Sequence, residues 1–437
     1  MTYPETLQYL FNSLPMFQRQ GKAAYKANLD NTLRFDTALG HPHKSFSTIH
    51  VAGTNGKGSV SHMLASVLQQ SGLKTGLYTS PHLLDFRERI RINGTPVPKE
   101  EVTGFVENYQ ALIREIQPSF FEMTVAMAFD YFARQKVDVA VIETGLGGRL
   151  DSTNIITPVL SIITNISLDH TEFLGSDLPS IAREKGGIIK EGVPVVLGRS
   201  EEAYEGILAD MARAKNAPLV RAQQAYTPVF HTLNQEGNMI LRLRNMDSGA
   251  LESYTCDLAG LYQQENLVTT LASIQQVQKL GWVVTPSSIE EGFARVTTQT
   301  GIMGRWQTIG HNPRSICDTA HNADGIAAIM EQIRQVPRKE LHVVWGMVSD
   351  KDVKTILPLL PKSARYYFTQ SSVPRSMDHR ELARAASAYD LSGTGHPTVE
   401  EAYRAAQQSA GPDDMIFTGG STFVVADLLT FTHSHQS

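Results

Sequence analysis

The chain of 437 residues has two cysteines, Cys256 and Cys317, and no concentration of charge of one sign. Two cysteines this far apart make neither a metal-binding pair nor the disulfide framework of a small secreted domain, so a reducing cytoplasm is the expected setting. The net charge of −5 gives no sequence-independent pull toward nucleic acid, so any anionic ligand must be held by a local site. Long apolar runs are also missing. No stretch reaches the ~20 apolar residues a membrane-spanning helix needs, and the first residues carry no basic n-region, so neither membrane nor nucleic acid is an expected partner. There is no short-period repeat and no low-complexity tract.

What is present is an α/β rhythm. Short Val/Ile-rich runs at Thr48–Ala52, Lys74–Thr79, Val137–Glu143, Val159–Ile166 and Val193–Leu197 read as buried strands. Between the first two, Val60, Met63, Leu64, Val67 and Leu68 share one helix face that ends at Ser71-Gly72. Asp177 reads as the cap of a helix running through Pro179, Ile181 and Ala182 toward Lys185. The span from about 200 to 260 is more polar and reads as strands of an antiparallel flank. Asn266–Leu280 is helical, and the Thr/Gly-rich passage Thr297–Gly301 reads as a linker. The rhythm then restarts with strands at Ser315–Asp318, His342–Gly346, Tyr366–Thr369 and Met415–Thr418, and a last helix from Thr422.

A chain this long exceeds one ordinary core. The expectation is an N-terminal P-loop-type domain with a doubly wound, mostly parallel sheet (1–298), plus a smaller C-terminal Rossmann-like α/β domain (299–437).

The stretch IHVAGTNGKGSV at 49–60 carries the first chemistry. A glycine-rich turn between a buried strand and a helix aims backbone N–H groups and the positive end of the helix dipole at one spot, which favours phosphate. Gly53, Thr54, Asn55, Gly56, Lys57, Gly58 and Ser59 form that loop. Lys57 would bring a point charge to the β/γ-phosphates. The strict P-loop pattern puts a hydroxyl directly after the lysine; here Gly58 intervenes and Ser59 is the nearest hydroxyl.

Several further stretches name a chemistry when taken with the loop. They are TSPHLLDFRERIRING at 79–94, FEMT at 121–124, ETGLGGRLDSTN at 143–154, SLDHTEFLG at 167–175 and REKGGI at 183–188, then GRWQ at 304–307, DTAHN at 318–322 and GMVSDKD at 346–352. In this order they resemble the folylpolyglutamate synthase/dihydrofolate synthase family of the Mur ligase superfamily, over roughly residues 46–425. The glycine after Lys57 is a trait of that family.

The resemblance implies an ATP-dependent ligase of folate biosynthesis and one-carbon metabolism. It would add L-glutamate to dihydropteroate or reduced folates through an acyl phosphate, with small-molecule substrates as its partners and a monomer as its working form. Mg²⁺, two ions, would be held by Ser80, Glu143 and His170. Glu143 ends a buried strand where α/β sheets place ligands; Ser80 reads equally as a cap, and His170 equally as a structural histidine.

Asn266 in GLYQQEN, Arg305 and Asp318 match ATP contacts of the family, and His321 lies beside them with a role in domain closure or catalysis. Where the family often has a histidine, this chain has Tyr262. Phe121, Glu122, Leu150, Asp151 and Ser152 match positions lining the dihydropteroate pocket, although Phe121 reads equally as core. Lys185 of REKGGI matches a lysine carbamylated by CO₂, which turns a cation near the metal into an anion. Its plain reading is a solvated lysine complementing a helix dipole. His433 and His435 mimic a metal pair but read as a polar tail.

Two rivals stand beside the ligase. One is a Mur ligase acting on a UDP-linked cell-wall precursor, which TSPH and GTNGKGS argue against. The other is a nucleotide-binding switch, which has no use for a second α/β domain with ATP contacts of its own.

Overall fold

A computed structural model describes residues 1–15, 28–234, 236–349 and 351–434. Position 350 of the GMVSDKD stretch and His435 lie outside the described residues. The chain forms two compact units, one of residues 1–257 and 263–302, the other of residues 258–262 and 303–437.

The first unit is built on an eight-stranded sheet. In chain order its strands are β1 (Ser47–Ala52), β2 (Thr75–Tyr78), β3 (Ile90–Ile92), β4 (Thr95–Pro96), β5 (Val139–Glu143), β6 (Leu160–Ile163), β7 (Val195–Leu197) and β8 (Leu219–Arg221). In space the order is β4-β3-β2-β5-β1-β6-β7-β8. Strands β2, β5, β1, β6, β7 and β8 pair in parallel, and only β3 and β4 run antiparallel at one edge. β1, β2, β5, β6 and β7 are buried at every position except the first residue of β1, which is why they read as continuous apolar runs rather than alternating ones. β1 is central, between β5 and β6, and the ligand-binding crevice of such sheets opens at the carboxyl ends of strands like these.

The helix Lys57–Gln70 follows β1 and is buried from Ser59 through Leu68. Helices from the distant segment 263–300 cover it, and the Ser66 hydroxyl donates to the Gly292 carbonyl at 2.6 Å. The Thr/Gly-rich passage read as a linker belongs to this packing. Val296–Thr300 is helical, Gly301 closes it in the left-handed conformation, and Thr300 is buried with its hydroxyl 2.7 Å from His62 Nδ1. Burial against a neighbouring helix overrides the low helix propensity of threonine.

The span 200–260 also departs from its reading. Glu202–Ala214 is a helix that buries Tyr204, Leu208 and Ala212, and β8 joins the parallel sheet. The antiparallel flank is confined to β9 (Tyr226–Leu233), β10 (Met239–Asn245) and β11 (Leu251–Cys256).

The second unit holds β12 (Gln307–His311), β13 (Arg314–Cys317), β14 (Leu341–Trp345), β15 (Arg365–Thr369), β16 (Gly393–His396) and β17 (Met415–Gly419). Their order is β12-β13-β17-β14-β15-β16, parallel except for β12. The edge strand β16 has the sequence GTGH, exposed at three of its four positions, so no apolar pattern marks it. The segment 258–262 is tied in by Gln332, whose side chain accepts from Leu261 N at 2.8 Å and donates to the Ala259 carbonyl at 3.1 Å. His433 lies in the last helix, Thr422–Ser434, with Nδ1 2.7 Å from the Leu429 carbonyl. Cys256 and Cys317 are free thiols, both buried. No helix among the described residues is long and apolar enough to cross a membrane.

Candidate active site

The loop after β1 is shaped by two glycines. Gly53 (φ 149°) has no room for a side chain, because a Cβ there would meet the Thr164 hydroxyl. Gly56 (φ 83°) is in the left-handed region, and a Cβ there would meet the Asn266 side-chain oxygen. Gly56 is also the N-cap of the helix Lys57–Gln70, and no side chain caps that helix. Its first N–H groups are therefore the orphan donors of a helix start, and they favour an anion.

The loop is held from β6. Thr54 N donates to the Asn165 carbonyl at 3.0 Å, Asn55 N to Asn165 Oδ1 at 2.8 Å, and the Thr164 hydroxyl to the Asn55 carbonyl at 2.6 Å. The Thr54 hydroxyl both donates to the Ser167 carbonyl and accepts from Ser167 N, each at 3.0 Å. Thr164, Asn165 and Ser167 lie about 110 positions beyond the loop, so no local motif could identify them as its scaffold.

Lys57 folds back over the loop and donates to the carbonyls of Gly53 and Thr54, both at 3.0 Å. Lys185 arrives from the helix Leu178–Gly186, capped by Asp177, and donates to the same Gly53 carbonyl at 2.7 Å. Lys185 is 4% exposed, not a solvated lysine at a helix end. Burial, reinforced by the nearby Lys57 cation and opposed by Asp169 and Asp151, lowers its pKa to about 7.

Glu143, the last residue of β5, is buried, and its carboxylate accepts from Ser80 N at 3.0 Å. Arg89, itself buried, lies within electrostatic range of Glu143 and donates through Nε to His82 Nδ1 at 2.7 Å. A buried carboxylate beside a serine offers hard oxygens, the donor type magnesium prefers. Glu143 and Ser80 thus fit such an ion by chemistry. His170 is partly exposed at the start of a short helix with φ 50°, its backbone N donating to Asp169 Oδ1 at 2.9 Å. Imidazole is the least suited of the three to magnesium.

Asp151 is buried, and its carboxylate is the knot of the 145–153 turn. Oδ2 accepts from Gly145 N and Leu146 N, each at 2.8 Å; Oδ1 accepts from Thr153 N at 3.0 Å and the Thr153 hydroxyl at 2.5 Å. Burial raises its pKa against the pull of these donors. Ser152 is buried and Leu150 half-buried beside it. Phe121 is half-buried, packed over Gly145 and 6.1 Å from the Tyr78 ring. Glu122 is buried and closes a capping box, accepting from Ser119 N at 2.6 Å and from Asn31 Nδ2 at 3.3 Å. Asn266 donates to Gln263 Oε1 at 2.7 Å while its own oxygen faces Gly56.

In the second unit Asp318 ends the run of β13 and is buried. It accepts from Trp306 N at 2.7 Å, from the Tyr262 hydroxyl at 2.6 Å and from Ala320 N at 2.8 Å. Burial raises its pKa, opposed by Tyr262, Arg305 and these amides. Arg305 donates to the Thr319 hydroxyl and to the Gly304 carbonyl, and His321 Nδ1 lies 3.0 Å from the Thr319 carbonyl. Tyr262 therefore has a definite partner in this chain, which the sequence did not reveal.

Comparison with known proteins bears on the same regions. Residues 51–274 match the Mur ligase middle domain, and residues 304–422 match the Mur ligase glutamate ligase domain. The folylpolyglutamate synthase of Lacticaseibacillus casei is 32% identical over 98% of this chain and 97% of its own length. The dihydrofolate synthase/folylpolyglutamate synthase of Bacillus subtilis is 29% identical, covering 93% and 95%. Among solved structures, E. coli FolC in complex with DHPP and ADP superposes with a TM-score of 0.88 at 29% identity, over 100% of this chain and 99% of that one. Mycobacterium tuberculosis folylpolyglutamate synthase complexed with ADP and AMPPCP also gives 0.88 at 29%, over 98% and 99%. Matches that span nearly the whole length of both chains leave one assignment: this chain belongs to the folylpolyglutamate synthase/dihydrofolate synthase family of the Mur ligase superfamily.

Proposed function

We propose that the chain ligates L-glutamate to dihydropteroate, to reduced folates, or to both, at the cost of ATP. A carboxylate is a poor electrophile. Its oxygen attacks the γ-phosphorus of ATP, ADP leaves, and an acyl phosphate results. The glutamate amine then attacks the acyl carbon, loses a proton and expels phosphate, leaving the amide. Phosphoryl transfer of this kind needs positioning and charge neutralisation more than covalent help from the protein.

The observation that carries this reading is the cluster at the carboxyl ends of β1 and β5. An uncapped glycine loop, the buried carboxylate of Glu143 and the buried amine of Lys185 meet where α/β sheets bind ligands. The loop Gly53–Ser59 takes the ATP phosphates with Lys57 as their counter-charge. Asn266, Arg305 and Asp318 are the other nucleotide residues, and His321 is a further catalytic group. Phe121, Glu122, Leu150, Asp151 and Ser152 form the acceptor site, with Glu122 and Asp151 serving it through the backbone they hold. Two Mg²⁺ ions at Ser80, Glu143 and His170 would neutralise phosphate charge.

Lys185 works as its carbamate. The neutral amine attacks the carbon of CO₂ and gives up a proton to leave the carbamate anion, and burial beside Lys57 favours the neutral form. The ATP-binding part is the first unit, residues 1–257 and 263–302, and the glutamate-ligase part is the second, residues 258–262 and 303–437, a few residues beyond the boundary expected at 298/299. The two free thiols suit a cytoplasmic protein.

Phosphate release with ATP and glutamate tests this directly, comparing dihydropteroate, tetrahydrofolate and a UDP-muramyl acceptor. Turnover only with the UDP-linked acceptor overturns the substrate reading. Stoichiometric nucleotide binding without glutamate-dependent phosphate release overturns the ligase reading altogether.

A further inference from the structure

His50 sits in the middle of β1, fully buried, paired in register with Ile142 of β5 and Ser161 of β6. A polar side chain in the central strand of a buried sheet is costly unless a specific partner justifies it. Its Nε2 lies 2.8 Å from the Thr153 hydroxyl, while its Nδ1 is buried with no hydrogen-bond partner among the described residues.

The donors around Asp151 fix which way each proton points. Backbone N–H groups donate to both carboxylate oxygens, Gly145 and Leu146 to Oδ2 and Thr153 to Oδ1. Both oxygens therefore act as acceptors, and the single Thr153 hydroxyl proton goes to Asp151 Oδ1. The Thr153 oxygen is then the acceptor toward His50, and Nε2 must carry the proton. The unpartnered Nδ1 is left as a bare lone pair, a smaller penalty than a buried orphan N–H. Burial lowers the His50 pKa to about 3, so the ring is neutral and has one proton to place.

We propose that His50 is a positioning residue of the acceptor site: its Nε2–H, through the Thr153 hydroxyl, orients the Asp151 carboxylate that holds the Gly145 and Leu146 amides. Asp151 has four donors for about four lone-pair sites, so each bond constrains the others. The 145–152 turn carries Leu150, Asp151 and Ser152, and it begins directly after Glu143 and Thr144. The ATP loop is braced separately, from Thr164, Asn165 and Ser167. Loss of the His50 donor should therefore register on the acceptor rather than on ATP.

The kinetic part rests on the ligase reading, so a measurement independent of turnover comes first. Two-bond ¹H–¹⁵N correlation on imidazole-labelled protein at neutral pH should show His50 as the Nε2–H tautomer. An Nδ1–H tautomer or an imidazolium would overturn the proposal whatever the enzyme's reaction. His50→Leu removes the donor, whereas His50→Gln places an amide N–H near the position of Nε2. The expectation is a loss of about tenfold in kcat/KM for the pterin acceptor in His50→Leu, with KM for ATP within about threefold of wild type, and recovery of most of the loss in His50→Gln. Thr153→Val should reproduce the acceptor defect, and combining it with His50→Leu should add little. Equal impairment of His50→Gln and His50→Leu, or matched losses for ATP and acceptor, would mean that His50 only fills space in the sheet. Should His50→Leu fail to fold, the tautomer of the wild type and the Thr153→Val kinetics decide.

Discussion

Lys57 and Lys185 donate to one acceptor, the carbonyl oxygen of Gly53, at 3.0 and 2.7 Å. Two ammonium groups on one oxygen repel each other, and the buried one yields its proton more readily. The glycine loop thus serves two ends. Its uncapped helix start leaves orphan N–H donors that favour an anion, and its first carbonyl gathers the two lysines.

Lys57→Ala removes the proposed counter-charge for phosphate. The expected loss in kcat is at least about a hundredfold, on the scale of a lost electrostatic donor. The fold should persist, because the lysine bonds only its own loop. Steady-state phosphate release together with a thermal melt separates the two effects.

Lys185→Ala should fold and lose most activity, with partial rescue by short carboxylic acids that replace the carbamate oxygens. Labelled bicarbonate should give a carbamate ¹³C signal in wild type that is absent in the variant. The pH dependence of stability has a definite sign. The folded-state pKa of about 7 lies below the unfolded value of about 10.4, so the unfolded chain binds more protons between them. Without CO₂, burial of this lysine opposes folding fully below about pH 7, and that opposition fades as pH rises toward 10. Lys185→Met should therefore raise the melting temperature of CO₂-free protein most at pH 6 to 7 and least at high pH. A uniform shift at every pH would contradict the depressed pKa.

Glu143→Gln keeps the shape of the β5 terminus and its contact with Ser80 N while removing the anion. Activity should fall far more than ATP binding, since the loop proposed to take the phosphates is untouched. Activity measured against Mg²⁺ concentration is the check. A variant with the wild-type curve would show that Glu143 holds no metal.

Tyr262→Phe removes one of three donors to the buried Asp318 carboxylate. Leaving a buried acceptor short of a partner costs about 1–3 kcal/mol, which a denaturant titration of the second-unit transition should register. Asp318 should also become easier to protonate, because the Tyr262 hydrogen bond is the largest influence holding its pKa down. ATP affinity in the variant should therefore weaken more at pH 5.5 than at pH 8.

The strands around the loop were legible because β1, β5 and β6 are buried on both faces and read as unbroken apolar runs. The Asp177 cap was legible for a local reason too, an acceptor side chain placed for Ser180 N at 2.7 Å. The helix Val296–Thr300 was not. Its threonines and glycine favour a turn in isolation, and only burial of Thr300 beside His62 makes the helix. Glu202–Ala214 buries Tyr204, Leu208 and Ala212 at the i, i+4, i+8 spacing of one helix face, a local signal that the reading of the span as strands overlooked.

By itself, the sequence determined the two-unit α/β class, the family, and the loop with its lysine, all of which depend on local order: glycine spacing, apolar runs and short motifs. The tertiary structure decided what those residues experience. Lys185 loses its proton easily because the fold buries it beside the Lys57 cation, with the carbonyl of Gly53, 132 positions earlier, as its partner. His50 has a fixed proton because Thr153 lies 103 positions later, and Tyr262 has a role because Asp318 lies 56 positions later. Hydrogen-bond partners and desolvation are properties of distance in space. Periodicity along the chain does not encode them, so charge state and proton position emerged only once the sheets had formed.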